Sequence, residues 1–278
     1  MTPIGRRELA AVLWLVLCPA IAFGQVARWD EYEDAGEEAY QAGRYLQAER
    51  LFLIALKVAE SFGPNDPRVA QTLNNLGEVY AAQKKYDQAE SLFVRALAIR
   101  ERALGAGHPD IAESLNSLGD LYSEEGEYAR AEPLVRRALD IRERALGPLH
   151  PDVATSLNSL GDLNTAQLKY DQADALLRRA ISIREAALGP SHPDVADTLD
   201  SLAALYEALG RYELTETFLQ RSVSIRERAQ GSAHPELAGS LKAYAALLRK
   251  LRRPAEAAKL EARATAILAT HTRENAKQ

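Results

Sequence analysis

From Val69 onward the apolar residues of the chain fall at fixed intervals. Val69, Leu73, Leu76 and Tyr80 stand at offsets 0, 4, 7 and 11, which at 100° per residue puts them within roughly 60° of one another on a helix. A second pattern runs from Tyr86 through Ala89, Leu92, Phe93, Ala96, Leu97 and Ile99. Its apolar arc is wider, as expected of a helix that touches neighbours on several sides. Both patterns recur at one constant step, the distance from Thr72 to Ser114. The octapeptide SLNSLGDL stands at Ser114–Leu121 and again at Ser156–Leu163, with TLNNLGEV beginning at Thr72 and TLDSLAAL at Thr198. The second pattern returns from Tyr128, Tyr170 and Tyr212. Two helices per unit, neither able to bury its face alone, predict an all-α solenoid.

The punctuation between units has a mechanical reading. Gly63-Pro64-Asn65-Asp66-Pro67 is followed at the same step by Gly105 to Pro109, Gly147 to Pro151, Gly189 to Pro193 and Gly231 to Pro235. The glycine can adopt the left-handed conformation that ends a helix. The last proline suits the first position of the next helix, where a missing N–H costs nothing. Asp66 before it is a good N-cap. The units so delimited are about 29–62, 67–104, 109–146, 151–188, 193–230 and 235–270. The first is one residue short between Leu56 and Gly63, and the last carries Pro254 where tyrosine is usual. Atypical ends are what a solenoid needs to close its core. Residues 271–278 are expected as a flexible tail. Gly77, Gly119 and Gly161 sit beside the apolar stripe and are expected to let a neighbouring helix approach closely.

Leu73-x2-Leu76-Gly77-x2-Tyr80 followed by Tyr86, Ala89 and Ala96 resembles the tetratricopeptide repeat. The wording His-Pro-Asp-Val-Ala-x-x-Leu-Asn-x-Leu-Gly-x-Leu-Tyr resembles the 42-residue variant of kinesin light chains and of many bacterial proteins. The resemblance implies a right-handed α-α superhelical solenoid of about six helix pairs, first helices lining the concave side. With Val69 at zero, Asn74 falls at about 140°, Glu78 at about 180° and Gln71 at about 200°, on the side opposite the core stripe. Periodicity says only that this side is solvent-accessible; the resemblance implies that the asparagine position contacts bound peptide. Carried through the units, that column is Asn74, Asn116, Asn158, Asp200 and Lys242. Its i+4 companions are Glu78, Asp120, Asp162, Ala204 and Ala246. An amide ladder can donate to and accept from the main chain of an extended segment. The alternative, that these amides bond to adjacent repeats or merely solvate the face, stays open at this stage. Charge along the same face changes sign: Asp30, Glu33 and Glu37 come first, Glu113, Asp120, Asp197, Asp200 and Glu207 later, and Lys242, Arg249 and Lys250 last. An acidic trough with a basic end favours a partner segment of opposite order, one with a basic stretch.

Composition narrows the class. The 278 residues carry a formal charge of −5, which offers no footprint for a nucleic-acid backbone. Arg6 and Arg7, the apolar run Leu9 to Leu17, and the small residues Ala22 and Gly24 together form a signal-peptide pattern over residues 1–24. Cleavage after Gly24 would place the chain in the periplasm or outside the cell, and the apolar run is too short for a comfortable membrane span. Two rivals are retention as a membrane anchor and lipid attachment at Cys18, the latter weakened by the bulky Leu17. Loss of the leader removes the only cysteine and leaves no thiol chemistry. His108, His150, His192 and His234 recur one unit apart, too far to converge on a metal. No phosphate loop or nucleophile elbow occurs. Runs such as Arg100-Glu101-Arg102 and Arg142-Glu143-Arg144 read as pairs on a solvated helix face. The expected protein is an exported, non-catalytic scaffold without cofactor or metal that binds a peptide or partner segment. The alternative is a self-assembly module that pairs through the solenoid ends or the convex face.

Overall fold

The computed structural model of the protein describes residues 26–275. Twelve α-helices and no strand occur among the described residues. They form six pairs: α1 (26–41) with α2 (Tyr45–Glu60), α3 (Pro67–Ala82) with α4 (Tyr86–Leu104), and α5 (Pro109–Glu124) with α6 (Tyr128–Leu146). Then come α7 (Pro151–Ala166) with α8 (Tyr170–Leu188), α9 (Pro193–Ala208) with α10 (Tyr212–Ala229), and α11 (Pro235–Lys250) with α12 (Pro254–Asn275). The leader over residues 1–24 lies outside the described residues. Residues 271–275, expected as flexible tail, continue α12 to Asn275.

The loops act as the sequence suggests. Pro67, Pro109, Pro151, Pro193 and Pro235 each occupy the first turn of a helix. The Asp66 carboxylate accepts from the Arg68 N–H at 3.0 Å. In the next three units a histidine does the same work: Nδ1 of His108, His150 and His192 accepts from the N–H of Asp110, Asp152 and Asp194 at 3.3, 3.2 and 3.3 Å. Each of these rings therefore carries its proton on Nε2. At the C-cap, Gly147 takes φ 88° and ψ 156°, a region open almost only to glycine.

The turn inside each unit closes with a six-residue Schellman bond. Lys85, Glu127, Lys169, Arg211 and Arg253 donate their N–H to the carbonyls of Tyr80, Tyr122, Asn164, Tyr206 and Leu248. The residue before the donor is left-handed: Gly126 and Gly210 in two units, Lys84, Leu168 and Arg252 in others. Leu168 holds φ 62° with its side chain 70% exposed, so packing returns nothing for the backbone strain. Leu168→Gly should raise the melting temperature, by the equivalent of about 1 kcal/mol. A lower melting point in calorimetry would show that the exposed leucine is stabilising.

Core and curvature come from the same contacts. Each helix packs on the next in sequence, and first helices also touch first helices, α3 on α5, α5 on α7 and α7 on α9. That asymmetry bends the stack with the first helices inside. The glycines beside the stripe allow it: a Cβ on Gly77 would lie 2.6 Å from the Phe93 ring, and one on Gly119 would lie 2.5 Å from Val135. On the outer side an ion pair crosses every boundary. Arg95, Arg137, Arg179, Arg221 and Arg263 reach Glu60, Glu101, Glu143, Glu185 and Glu227 of the preceding unit.

Candidate binding groove

The concave wall is made by α1, α3, α5, α7, α9 and α11, and its polar residues are ordered by bonds between units. Asn74 Nδ2 donates to Ser117 Oγ at 3.3 Å, Asn116 Nδ2 to Ser159 Oγ at 2.9 Å, and Asn158 Nδ2 to Ser201 Oγ at 2.9 Å. Each step spans 43 residues, from one repeat to the position after the matching one in the next. That is why asparagine and serine stand side by side in SLNSLGDL. Asn74 is fully buried and Asn116 is 4% exposed, while Asn158 is half-buried. Asn74 also donates to Glu78 and Glu113, at 3.1 and 3.2 Å. Asp200 accepts from Ser240 at 2.8 Å and from Arg226 at 2.9 Å. Lys242 is exposed.

The expectation of a solvent-accessible amide ladder is therefore corrected. A first helix here has its own second helix on one side and a neighbouring first helix on each of two others, so the side opposite the main stripe is covered in part. The three asparagines and Asp200 brace one repeat against the next, and the amide N–H groups are committed to that work; Lys242 alone of the column makes no such bond.

Beneath it runs a row of buried cations that the sequence reading placed on a solvated face. Arg100, Arg142, Arg184 and Arg226, one per second helix, are 3–7% exposed. Arg142 donates to Asn116 Oδ1 at 3.1 Å and to Ser156 Oγ at 2.8 Å, and Ser156 donates to the same Asn116 oxygen at 2.7 Å. Arg100 holds the Asp110 carbonyl, Ser114 and Glu113. Arg184 holds the Asp194 carbonyl and Thr198. Arg226 meets three carboxylates, Asp197, Asp200 and Glu236, at 2.8, 2.9 and 2.9 Å. Burial pulls Arg142 and Arg184 below the usual guanidinium range. For Arg226 burial acts the same way, but Asp197 and Asp200 outweigh it and hold the group above that range.

What the groove offers to solvent is carboxylate. Asp120 and Asp162 are exposed and Glu78 is half-buried. Loss of water around Glu78, then repulsion from Glu113, pushes its carboxyl up to about 7. Asp120 and Asp162 are pushed upward too, first by the surrounding protein. Repulsion from Glu124 adds at Asp120, and from Asp120 at Asp162. Serines from the next unit oppose the shift by hydrogen bonding. Near the N-terminal end Glu78 borders a hollow of about 430 Å³, lined also by Glu37, Tyr40, Gln71 and Glu113. The basic end expected on this face is mostly spent: Arg249 pairs with Glu261 and Lys250 with Glu207. Among the described residues no group of His, Cys, Asp or Glu could hold a metal ion, and no helix is long and apolar enough to cross a membrane.

The sequence model of the tetratricopeptide repeat matches residues 32–102, 68–144, 123–186, 152–214 and 194–270. The chain is a tetratricopeptide repeat protein. No curated protein matches it. Among solved structures it is similar to BtubC (BKLC) from P. vanneervenii, at 20% identity and TM-score 0.60, over 89% of this chain and 92% of that one. A putative kinesin light chain with nearly identical repeats, from Podospora anserina, matches at 21% identity and TM-score 0.54, over 73% of this chain and 97% of its own. A Rap protein complexed with Competence and Sporulation Factor matches at 13% identity and TM-score 0.66, over 88% of this chain and 76% of its own. At these identities the likeness is one of fold.

In the first unit of this tetratricopeptide array, Glu33 takes the asparagine place. It is 5% exposed, accepts from Thr72, and accepts from Asn75 Nδ2 at 2.8 Å. Burial pushes its carboxyl up to about 7, against the pull of those two bonds. A group raised above its unfolded value stabilises fully below that value and loses the contribution as pH rises through about 7. Glu33→Gln, permanently neutral, should match the parent at pH 4 and exceed it at pH 8.5 by up to ~3 kcal/mol. Parallel denaturant melts at the two pH values check this; a deficit at pH 8.5 would mean that the ionised form is the stabilising one.

Proposed function

We propose that this tetratricopeptide protein is an exported, non-catalytic scaffold that holds an extended, basic segment of a partner protein along its concave wall. The observation that carries the reading is the file of carboxylates Glu78, Asp120 and Asp162 from three successive units. They share one wall, repel one another and are held above their ordinary range. Lysine or arginine side chains laid along the file relieve that repulsion and return the carboxyls to their charged state. Recognition then rests on charge and shape, because the asparagine amides are occupied within the stack. The three i+4 carboxylates are the contact residues in this reading. Export is supported by the leader pattern of residues 1–24, and sequencing of the chain recovered outside the cytoplasm should begin at Gln25.

Binding of labelled extended peptides, lysine-rich against glutamate-rich, tests the groove. The basic peptide should bind, more weakly with added salt. It should also bind more weakly as pH falls through about 7, where free Glu78 takes up a proton. Glu78→Gln, Asp120→Asn and Asp162→Asn together should cut affinity at least tenfold without lowering the melting temperature. Equal binding of both peptides, or affinity untouched by the triple change, would discard the reading.

A further inference from the structure

The first unit presents an outward surface unlike the matching surface of any other unit. In α2, Leu46, Leu53 and Ile54 are 65%, 39% and 41% exposed. The place of Ile54 is taken by Arg95, Arg137, Arg179, Arg221 and Arg263 in the other five units, where each arginine reaches back to a glutamate of the unit before. The place of Leu46 is Asp87, Ala129, Asp171, Glu213 or Ala255. Exposed Arg50 and Lys57 lie on the same stripe of α2 as these apolar residues. Alongside, α1 carries exposed Glu31, Asp34 and Glu38. Their counterparts in the second unit, Thr72, Asn75 and Val79, pack against the preceding unit. The three acids of α1 thus mark the face on which a preceding unit would sit. Terminal repeats ordinarily show water a polar outer face. Here the end is half acidic and half apolar with cations.

We propose that two copies of this chain associate through the first unit, with α1 of each copy lying on α2 of the other. The two halves of the face are complementary to each other, so a two-fold axis satisfies both at once. Glu31, Asp34 and Glu38 of one copy meet Arg50 and Lys57 of the second, and Leu46, Leu53 and Ile54 are covered. Pairing α2 on α2 instead would set Arg50 and Lys57 against their own copies. Arg44, at the start of α2, lies 3.8 Å from Glu38 within one chain, so the acidic stripe of α1 runs up to the basic helix. Two helices of 16 residues, about 24 Å long and each about 10 Å wide, give roughly 500 Å² of contact per copy. That lies at the low end of specific interfaces, so the dimer dissociates on dilution. The proposal is independent of the groove, which lies on the concave side.

Sedimentation equilibrium of the isolated chain over a dilution series tests it. The parent should be a dimer that dissociates on dilution, and Ile54→Arg with Leu46→Asp should weaken association at least tenfold. Both new residues already stand at these places in other units, and unchanged helical circular dichroism confirms folding. Glu31→Lys with Glu38→Lys, and separately Arg50→Glu with Lys57→Glu, should each weaken self-association, while an equimolar mixture of the two should form a heterodimer. A parent that is monomeric throughout overturns the proposal, including the case in which residues 1–25 or another protein covers the face. Unchanged association in the apolar double variant, or no heterodimer from the mixture, overturns it as well.

Discussion

Replacing Asn74, Asn116 and Asn158 together by alanine is expected to lower the melting temperature sharply, before any effect on a ligand is read. The largest share falls on Asn116, whose oxygen accepts from both Arg142 and Ser156 while its amide reaches Ser159. Alanine there strands a buried guanidinium N–H and a buried hydroxyl. At about 1–3 kcal/mol for each buried group left without its partner, the triple change removes roughly 4–6 kcal/mol. For a chain of this size that amounts to a drop on the order of 10–20 °C. Asn74 and Asn158 lose less, since each has an oxygen that is buried without a partner already. Thermal melts of the three single variants should rank Asn116→Ala as the most damaging. Melting unchanged in the triple variant would return the amides to the groove as free contacts.

The second large effect is expected at Arg226. Methionine there keeps most of the packing volume but leaves Asp197, Asp200 and Glu236 facing one another without their cation. Breaking one side of such a cluster costs about 3 kcal/mol. Arg142→Met should cost less, because its side-chain partners Asn116 and Ser156 are neutral. The two variants also differ in pH dependence. Without Arg226, which opposes the upward push of burial on Asp197, that carboxylate takes up a proton more readily, so the deficit is full near neutrality and shrinks as pH falls. The Arg142 deficit carries a shallower slope, because Asp152, Glu113 and Asp120 act on it through charge without a direct ion pair. Denaturant melts at pH 7 and pH 4.5 separate them; parallel curves would remove the charge cluster as the cause.

Much of the architecture is legible because its signals are local. Proline opens five first helices, glycine closes the loops before them, and Gly77, Gly119 and Gly161 mark where a second helix comes closest. The groove was harder to read, for a geometric reason. Lying on the side of a helix away from its apolar stripe means exposure only where that helix has one neighbour, and α3 packs against α2, α4 and α5. A usable signal was nevertheless present in the spacing. The arginine of the Arg100 column persists through Arg142, Arg184 and Arg226, whereas the Arg102 column drifts to Ala186. The row that holds is buried and the row that drifts is exposed. Serine or threonine likewise stands in every unit from Thr72 to Ser240, and all five are buried. The first-unit departures Glu33 and Ile54 gain their meaning only when a neighbouring unit, present or missing, is set beside them.

The outer edge of the joints is not fastened alike throughout. Tyr80, Tyr122 and Tyr206 each extend a hydroxyl to a carboxylate on the preceding second helix, Glu49, Glu90 and Asp174. Between the third and fourth units the same place is Asn164, 1% exposed, with both amide atoms unpartnered. On the concave side this junction is bonded through Asn116, Arg142, Ser156 and Ser159. Glu132, one repeat on from Glu90, is held across this junction by Gln167 and Lys169 at 3.4 and 3.3 Å, so the outer edge is fastened by charge where three others use a phenol. The stack is thus tied along both edges at its midpoint, and Asn164 is a local flaw in its packing, a buried amide left unmet beside an intact ion pair.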